Sequence, residues 1–161
     1  MRFEYKHFPI ERINPYAVQA AIAAEAAGQQ GKFFEFHDLL FENQAEWGRS
    51  ATPAAFFVQY AEEIGLDMDL YNRQSNASVL SDKVRAEQAE GEAAGVTGTP
   101  AFFLNGQLLR GPGGGNPSYE QIALQVAVAI DPSLASTTES FQSEDVDVVG
   151  EEAGTPIRFG I

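Results

Sequence analysis

The stretch Gly95-Val96-Thr97-Gly98-Thr99-Pro100-Ala101-Phe102-Phe103-Leu104-Asn105-Gly106 constrains this chain more than any other. Pro100 forces Thr99 into an extended conformation, because the pyrrolidine ring clashes with an α-helical residue before it. The apolar run that follows reads as a short buried strand, and Asn105-Gly106 as the two-residue turn of a hairpin. Gln107-Leu108-Leu109-Arg110-Gly111 is then its antiparallel partner. Both flanks of this hairpin read as helical.

A chain of 161 residues is the size of one domain, and 44% hydrophobic residues, 12 of them Phe, supply a packed core. The net charge of -13 and a pI near 4.4 exclude phosphate backbones and anionic lipid as partners, since both repel such a surface. No nucleic-acid partner is expected. With no Cys, these residues can form no disulfide, thiolate metal site or thiol nucleophile. His7 and His37 are the two histidines and no H-E-x-x-H spacing occurs, so neither a catalytic metal nor a cofactor is expected. Met1-Arg2-Phe3-Glu4-Tyr5-Lys6-His7 lacks the apolar centre of an export signal. No run approaches the roughly 18 apolar residues of a membrane span.

From the N-terminus, residues 2 to 8 alternate, with Phe3, Tyr5 and His7 on one face, which predicts a strand ended by Pro9. Asn14-Pro15 predicts a helix start, and the Ala-rich segment that follows runs to about Ala27 with Gly28 as its stop. Lys32 to Asn43 predicts a helix apolar on nearly two sides, with His37 as a partly buried spacer. Thr52-Pro53 opens a helix that stops at Gly65, Asp67 caps a shorter one to about Ser75, and Ser81-Asp82 starts another over Lys83 to Ala94, stopped by Gly95. Gly113-Gly114-Gly115 reads as a flexible loop, because a phosphate cradle would need a following Lys and helix. Ser118 and Gln121 form a capping box for a last helix, whose stripe is Ile122, Val126 and Ile130 and whose end is Asp131-Pro132. From Asp131 onward seven acids face one base, Arg158, so 132–161 reads as an acidic, disordered tail with a weak strand signal at Val146 to Val149.

This order of elements resembles the thioredoxin fold with an all-helical insertion, as in the DsbA-like thiol-disulfide oxidoreductases. Three stretches carry the resemblance. Residues 3 to 10, Phe-Glu-Tyr-Lys-His-Phe-Pro-Ile, look like that family's second core strand and its exit. Residues 26 to 41, Ala-Ala-Gly-Gln-Gln-Gly-Lys-Phe-Phe-Glu-Phe-His-Asp-Leu-Leu-Phe, are similar to its entry into the helical domain. Gly95 to Gly106 matches its cis-proline loop and third strand. The resemblance implies an incomplete thioredoxin-like α/β fold, with an all-helical insertion between strands at about 31–94 of a domain spanning 1–131.

In that family the loop faces a C-x-x-C pair, and the residue before the proline grips an extended substrate peptide. Carried over, Thr99 and Pro100 are the substrate-binding residues, and extended or unfolded polypeptides are the partners. The C-x-x-C helix and the strand before it have no counterpart here, so no catalytic residue is assigned. The resemblance then implies a truncated form, with two neighbouring strands deprived of a central partner. The family works outside the cytoplasm, although these residues carry no export signal.

Three functional readings follow. One is a protein-disulfide oxidoreductase by descent, without thiol activity in this chain. Another is a non-catalytic module that binds polypeptides at Thr99-Pro100 or pairs open sheet edges with a second copy as a homodimer. A third, a hydrolase using His37-Asp38, is disfavoured because adjacent helical residues point about 100° apart.

Overall fold

The computed structural model describes residues 2–137. Two compact units are formed among them, one ending at Thr99 and the other beginning at Pro100.

The first unit is helical: α1 (Ala17–Gly28), α2 (Phe33–Glu42), α3 (Gln44–Trp47), α4 (Pro53–Glu63), α5 (Met68–Ser75) and α6 (Ser78–Ala93). α1 is its axis and packs against α2, α4, α5 and α6. Ala17, Ala20, Ala21, Ala23, Ala24, Ala26 and Ala27 are all buried, and a helix buried on nearly every side must be apolar on nearly every side. Methyl-sized side chains also let four helices approach one rod. The larger side chains come from the neighbours: Phe36 and Leu40 of α2, Trp47 of α3, Phe57 and Tyr60 of α4, and Tyr71 of α5. Each such side chain contributes about 1.5–3 kcal/mol on burial.

Several helix ends follow the sequence. The start of α1 does not: Asn14 accepts the Tyr16 N–H at 3.0 Å and closes a turn ahead of the helix, which begins at Ala17 rather than at Asn14-Pro15. Pro53 opens α4, Asp67 accepts the Leu70 N–H at 2.9 Å, and Gly65 and Gly95 stop their helices with positive φ. Two further expectations fail. α1 includes Gly28 and is reversed by Gly31 at φ 75°, while Gly28 lies against the Phe33 ring, where a Cβ would come within 3.4 Å. α6 begins at Ser78, so Ser81 and Asp82 lie inside it; the break is the extended Ala77, four residues before Ser81. α3 was not foreseen, and it seats Trp47, whose Nε1 donates to the Leu40 carbonyl at 2.7 Å.

Residues 2–10 form neither a helix nor a ladder with any described strand, which corrects the strand expected at 2–8. The alternation survives in part: His7 is buried and Tyr5 half-buried while Glu4 and Lys6 are exposed, but Phe3, expected on the face of His7, is exposed, and Phe8, expected on the other face, is half-buried. Without a neighbouring strand, the segment is fastened to α6. The His7 N–H donates to Glu87 at 2.8 Å, Gln88 donates to the Pro9 carbonyl at 3.3 Å, and Lys6 and Arg85 pair with Glu90 and Glu11. The Phe8 ring lies so close to Gly91 that a Cβ there would stand 2.7 Å from Cδ2. That close approach accounts for a glycine in the interior of α6, where Ala would favour the helix by about 1 kcal/mol.

The second unit holds β1 (Phe103–Leu104) and β2 (Gln107–Leu108), paired antiparallel in the register Phe103 to Leu108 and Leu104 to Gln107. Asn105 (φ 51°) and Gly106 (φ 80°) make the expected turn. The strands are shorter than expected and β1 is not buried: Phe103 is exposed and Leu104 half-buried. The glycine loop is ordered as a 3-10 turn, Pro112–Gly114, closed by the Gly111 N–H on the Gly115 carbonyl. α7 (Tyr119–Ile130) has its capping box, with Ser118 accepting the Gln121 N–H and Gln121 accepting the Ser118 N–H at 2.8 Å. None of its residues is fully buried; Ile122 and Val126 are half-buried and Ile130 is exposed. A second 3-10 turn covers Pro132–Thr137, and the rest of the acidic segment, with Val146 to Val149, lies outside the described residues.

Ala24 of α1 is fully buried. Ala24→Leu should therefore lower stability by about 1–3 kcal/mol through overpacking, whereas Val79→Ala, at an exposed position, should stay within about 0.5 kcal/mol. Urea unfolding followed by circular dichroism reads both; equal midpoints for the two variants would contradict α1 as the packed axis.

Candidate functional site

Thr99 and Pro100 occupy a bend at residues 98–100, and both are half-buried. On one side the chain leaves α6 through Gly95, with the Val96 N–H on the Gly91 carbonyl at 2.9 Å. On the other, the Phe102 carbonyl accepts the Leu109 N–H at 2.8 Å and continues the hairpin one residue beyond β1. The sequence therefore places a proline-fixed bend directly before a hairpin, as expected from Gly95 to Gly106.

A second polar centre lies in the helical unit, and its residues are distant in sequence. Glu25 is the one charged side chain among the buried residues of α1. Its Oε1 is 3.0 Å from His7 Nε2 and accepts a hydrogen bond of 2.5 Å from Lys83 Nζ. Glu87, one turn beyond Lys83, lies 3.6 Å from the same ammonium and accepts the His7 N–H. Burial pushes the Glu25 carboxyl up, but the hydrogen bonds from His7 and Lys83 outweigh it and hold it below the ordinary value of 4.5. Glu25 is thus an ionised carboxylate in a helix otherwise lined with methyl groups. His7 Nδ1 is buried without a hydrogen-bond partner among the described residues.

His37 is buried rather than a partly buried spacer, within a ring cluster of Tyr5, Phe33, Phe34 and Phe41. Its Nδ1 lies 2.9 Å from Asp38 Oδ1, so adjacent helical residues do form this hydrogen-bonded pair. The reason is reach: Nδ1 is the ring nitrogen nearer the backbone, and the exposed Asp38 carboxylate bends toward it. The hydrolase reading still gains nothing, since His37 Nε2 is buried and no hydroxyl is hydrogen-bonded to it among the described residues.

The sequence model of the DSBA-like thioredoxin domain matches residues 7–127, which contain the bend, the hairpin and all seven helices but the last residues of α7. The chain belongs to the DsbA-like thioredoxin family. The crystal structure of a thioredoxin-like oxidoreductase from Silicibacter pomeroyi is similar to this chain at a TM-score of 0.57 and 27% identity, over 80% of this chain and 67% of that one. The chain is also 36% identical over 128 residues to Na(+)/H(+) antiporter NhaA 3 of Salinispora tropica, and 40% identical over 133 residues to Na(+)/H(+) antiporter NhaA 1 of Salinispora arenicola. In both cases the match takes in 80% of this chain, which spans 18% of the relative's length. Among the described residues no helix is long and apolar enough to cross a membrane. The DsbA-like fold here is the incomplete, mostly helical thioredoxin-like one, with a two-stranded sheet among the described residues.

The polar centre was missed because a search by local spacing cannot join residue 7 to 25, 83 and 87. One signal was present: a lone acid in Ala20-Ala21-Ile22-Ala23-Ala24-Glu25-Ala26-Ala27 has no reason to survive on a buried helix unless something pairs with it.

The depressed Glu25 value fixes a sign. A carboxyl ionising more readily when folded adds stability that is complete above about pH 5 and is lost as the pH falls through 4.5 and below. Glu25→Gln should cost about 1–3 kcal/mol at pH 7 and should flatten the fall in stability between about pH 5 and 3. Exposed Glu4, Glu11 and Glu35 are also held low and act in both proteins, so the difference between them isolates Glu25. Parallel acid limbs in thermal melts would refute the assignment.

Proposed function

We propose that this DsbA-like chain binds extended polypeptides at the Thr99-Pro100 bend and that its own residues carry out no thiol-disulfide exchange. The observation behind this reading is the absence of Cys from a chain whose residues 7–127 match a DSBA-like domain. Exchange starts with attack by a thiolate, and these residues supply none. Any oxidation or reduction by this domain needs sulfur from outside the 161 residues.

What the domain retains is recognition by backbone. An extended residue before proline presents its N–H and C=O to a polypeptide, which joins by strand addition. Thr99 is the residue before the proline here, at a bend that precedes a hairpin with the register Phe103 to Leu108. Main-chain bonding of this kind accepts many sequences. The same geometry accepts an edge of a second copy, giving a homodimer. Antiport is named for relatives far longer than this chain, so the reading given to it is the polypeptide-binding one.

Nuclear magnetic resonance of the labelled chain tests the reading. Adding an unfolded polypeptide with its cysteines alkylated should shift amide signals of Thr97 to Phe102 and leave α1 unchanged. No shift at millimolar polypeptide, or shifts confined elsewhere, would remove the proposal. Concentration-dependent shifts of the same amides without polypeptide would assign the bend to self-association instead. Reduction of insulin disulfides by the purified chain would overturn the second half of the claim.

A further inference from the structure

We propose that His7, Glu25 and Glu87 form a site for a divalent metal ion of the zinc class, in which the Lys83 ammonium is a built-in competitor. One donor atom from each of the three residues lies within 4.8 Å of the others. Ligands shared by one ion at bond lengths near 2.0–2.2 Å stand roughly 3–4 Å apart, so a modest closing of two glutamate rotamers completes the set. One imidazole nitrogen with two carboxylates suits zinc-class ions, whereas Ca2+ and Mg2+ take oxygen throughout.

Three further observations point to a cation here. Lys83 Nζ already stands between the carboxylates, at 2.5 Å from Glu25 and 3.6 Å from Glu87, so the local field selects positive charge. With that ammonium withdrawn, a neutral His7 and two carboxylates leave a charge of about -2, the match for a divalent ion. Withdrawal is open to it: the Lys83 side chain is 46% exposed and lines a cavity of about 280 Å³ with Gln29, Gln74, Ala77, Val79 and Leu80. The cavity gives the withdrawn ammonium a place to go. His7 itself is costly as a mere filler, because its ring is buried with Nδ1 unpartnered, and an apolar side chain would avoid that penalty.

The proposal is independent of polypeptide binding. Its test is titration of the chelator-treated full chain with Zn2+, reading the ring signals of the two histidines. The His7 ring should shift with saturable, one-to-one binding while His37 stays fixed. Lys83→Met should tighten Zn2+ binding at least tenfold, because the competitor is gone. Co2+ in place of Zn2+ should give visible absorption bands in that variant, and adding Glu25→Gln should abolish them. Binding that leaves His7 unmoved marks counter-ions on the acidic surface and overturns the proposal. So does the absence of a His7 shift in both proteins, or in the wild type alone at millimolar Zn2+ where Lys83→Met does not fold.

Discussion

The Glu25 carboxylate is the interaction on which the helical unit depends. It is the point where a buried alanine helix, the N-terminal segment and α6 meet, through His7 on one side and Lys83 on the other. The magnitudes rank the contacts. Removing one partner of this buried, hydrogen-bonded carboxylate costs about 1–3 kcal/mol, while exposed pairs such as Lys6–Glu90 and Arg85–Glu11 contribute about 0.2–1 kcal/mol each. Against a total stability of about 5–15 kcal/mol, the buried pair decides whether residues 2–10 stay docked. The surface pairs and the Phe8–Gly91 contact set where they dock.

That arrangement answers a question posed by the sequence. Alternating residues 2 to 8 need backbone partners if they are to be a strand, and no described strand runs beside them. The alternation nonetheless has a use: it turns His7 inward to Glu25 and Lys6 outward to Glu90. Side chains of α6 then accept or donate where a neighbouring strand would have done so. The segment is held by α6 at positions 87, 88, 90 and 91, of which 87, 90 and 91 share one side at helical spacing.

Much of this was legible in local chemistry. Asp67, Ser118 and Gln121, Pro53, Gly65, Gly95 and Asn105-Gly106 marked their ends and turn, because caps and tight turns are decided by the residues that form them. The order of elements was enough to suggest the DsbA-like family. Legibility failed where the deciding neighbour was far along the chain. Gly28 looked like a stop but serves the Phe33 ring, Ser81 looked like a cap but lies inside α6, and β1 looked buried but is partly exposed. The polar centre failed for the same reason, since Glu25 is explained only by residues 18 and 58 positions away. Within the proposed binding site, the Thr99-Pro100 bend was readable because proline dictates it locally.

The chain therefore combines a DsbA-like fold without cysteine and a charged centre buried in its helical unit. Hydrogen exchange at the His7 amide tests this account most directly, because that N–H is bonded to the Glu87 side chain. The account predicts that this amide is protected in the native chain and that Glu87→Ala abolishes its protection while the amides of α1 keep theirs. A His7 amide exchanging at the unprotected rate in the native chain would contradict a docked N-terminal segment, and with it the centre built around Glu25.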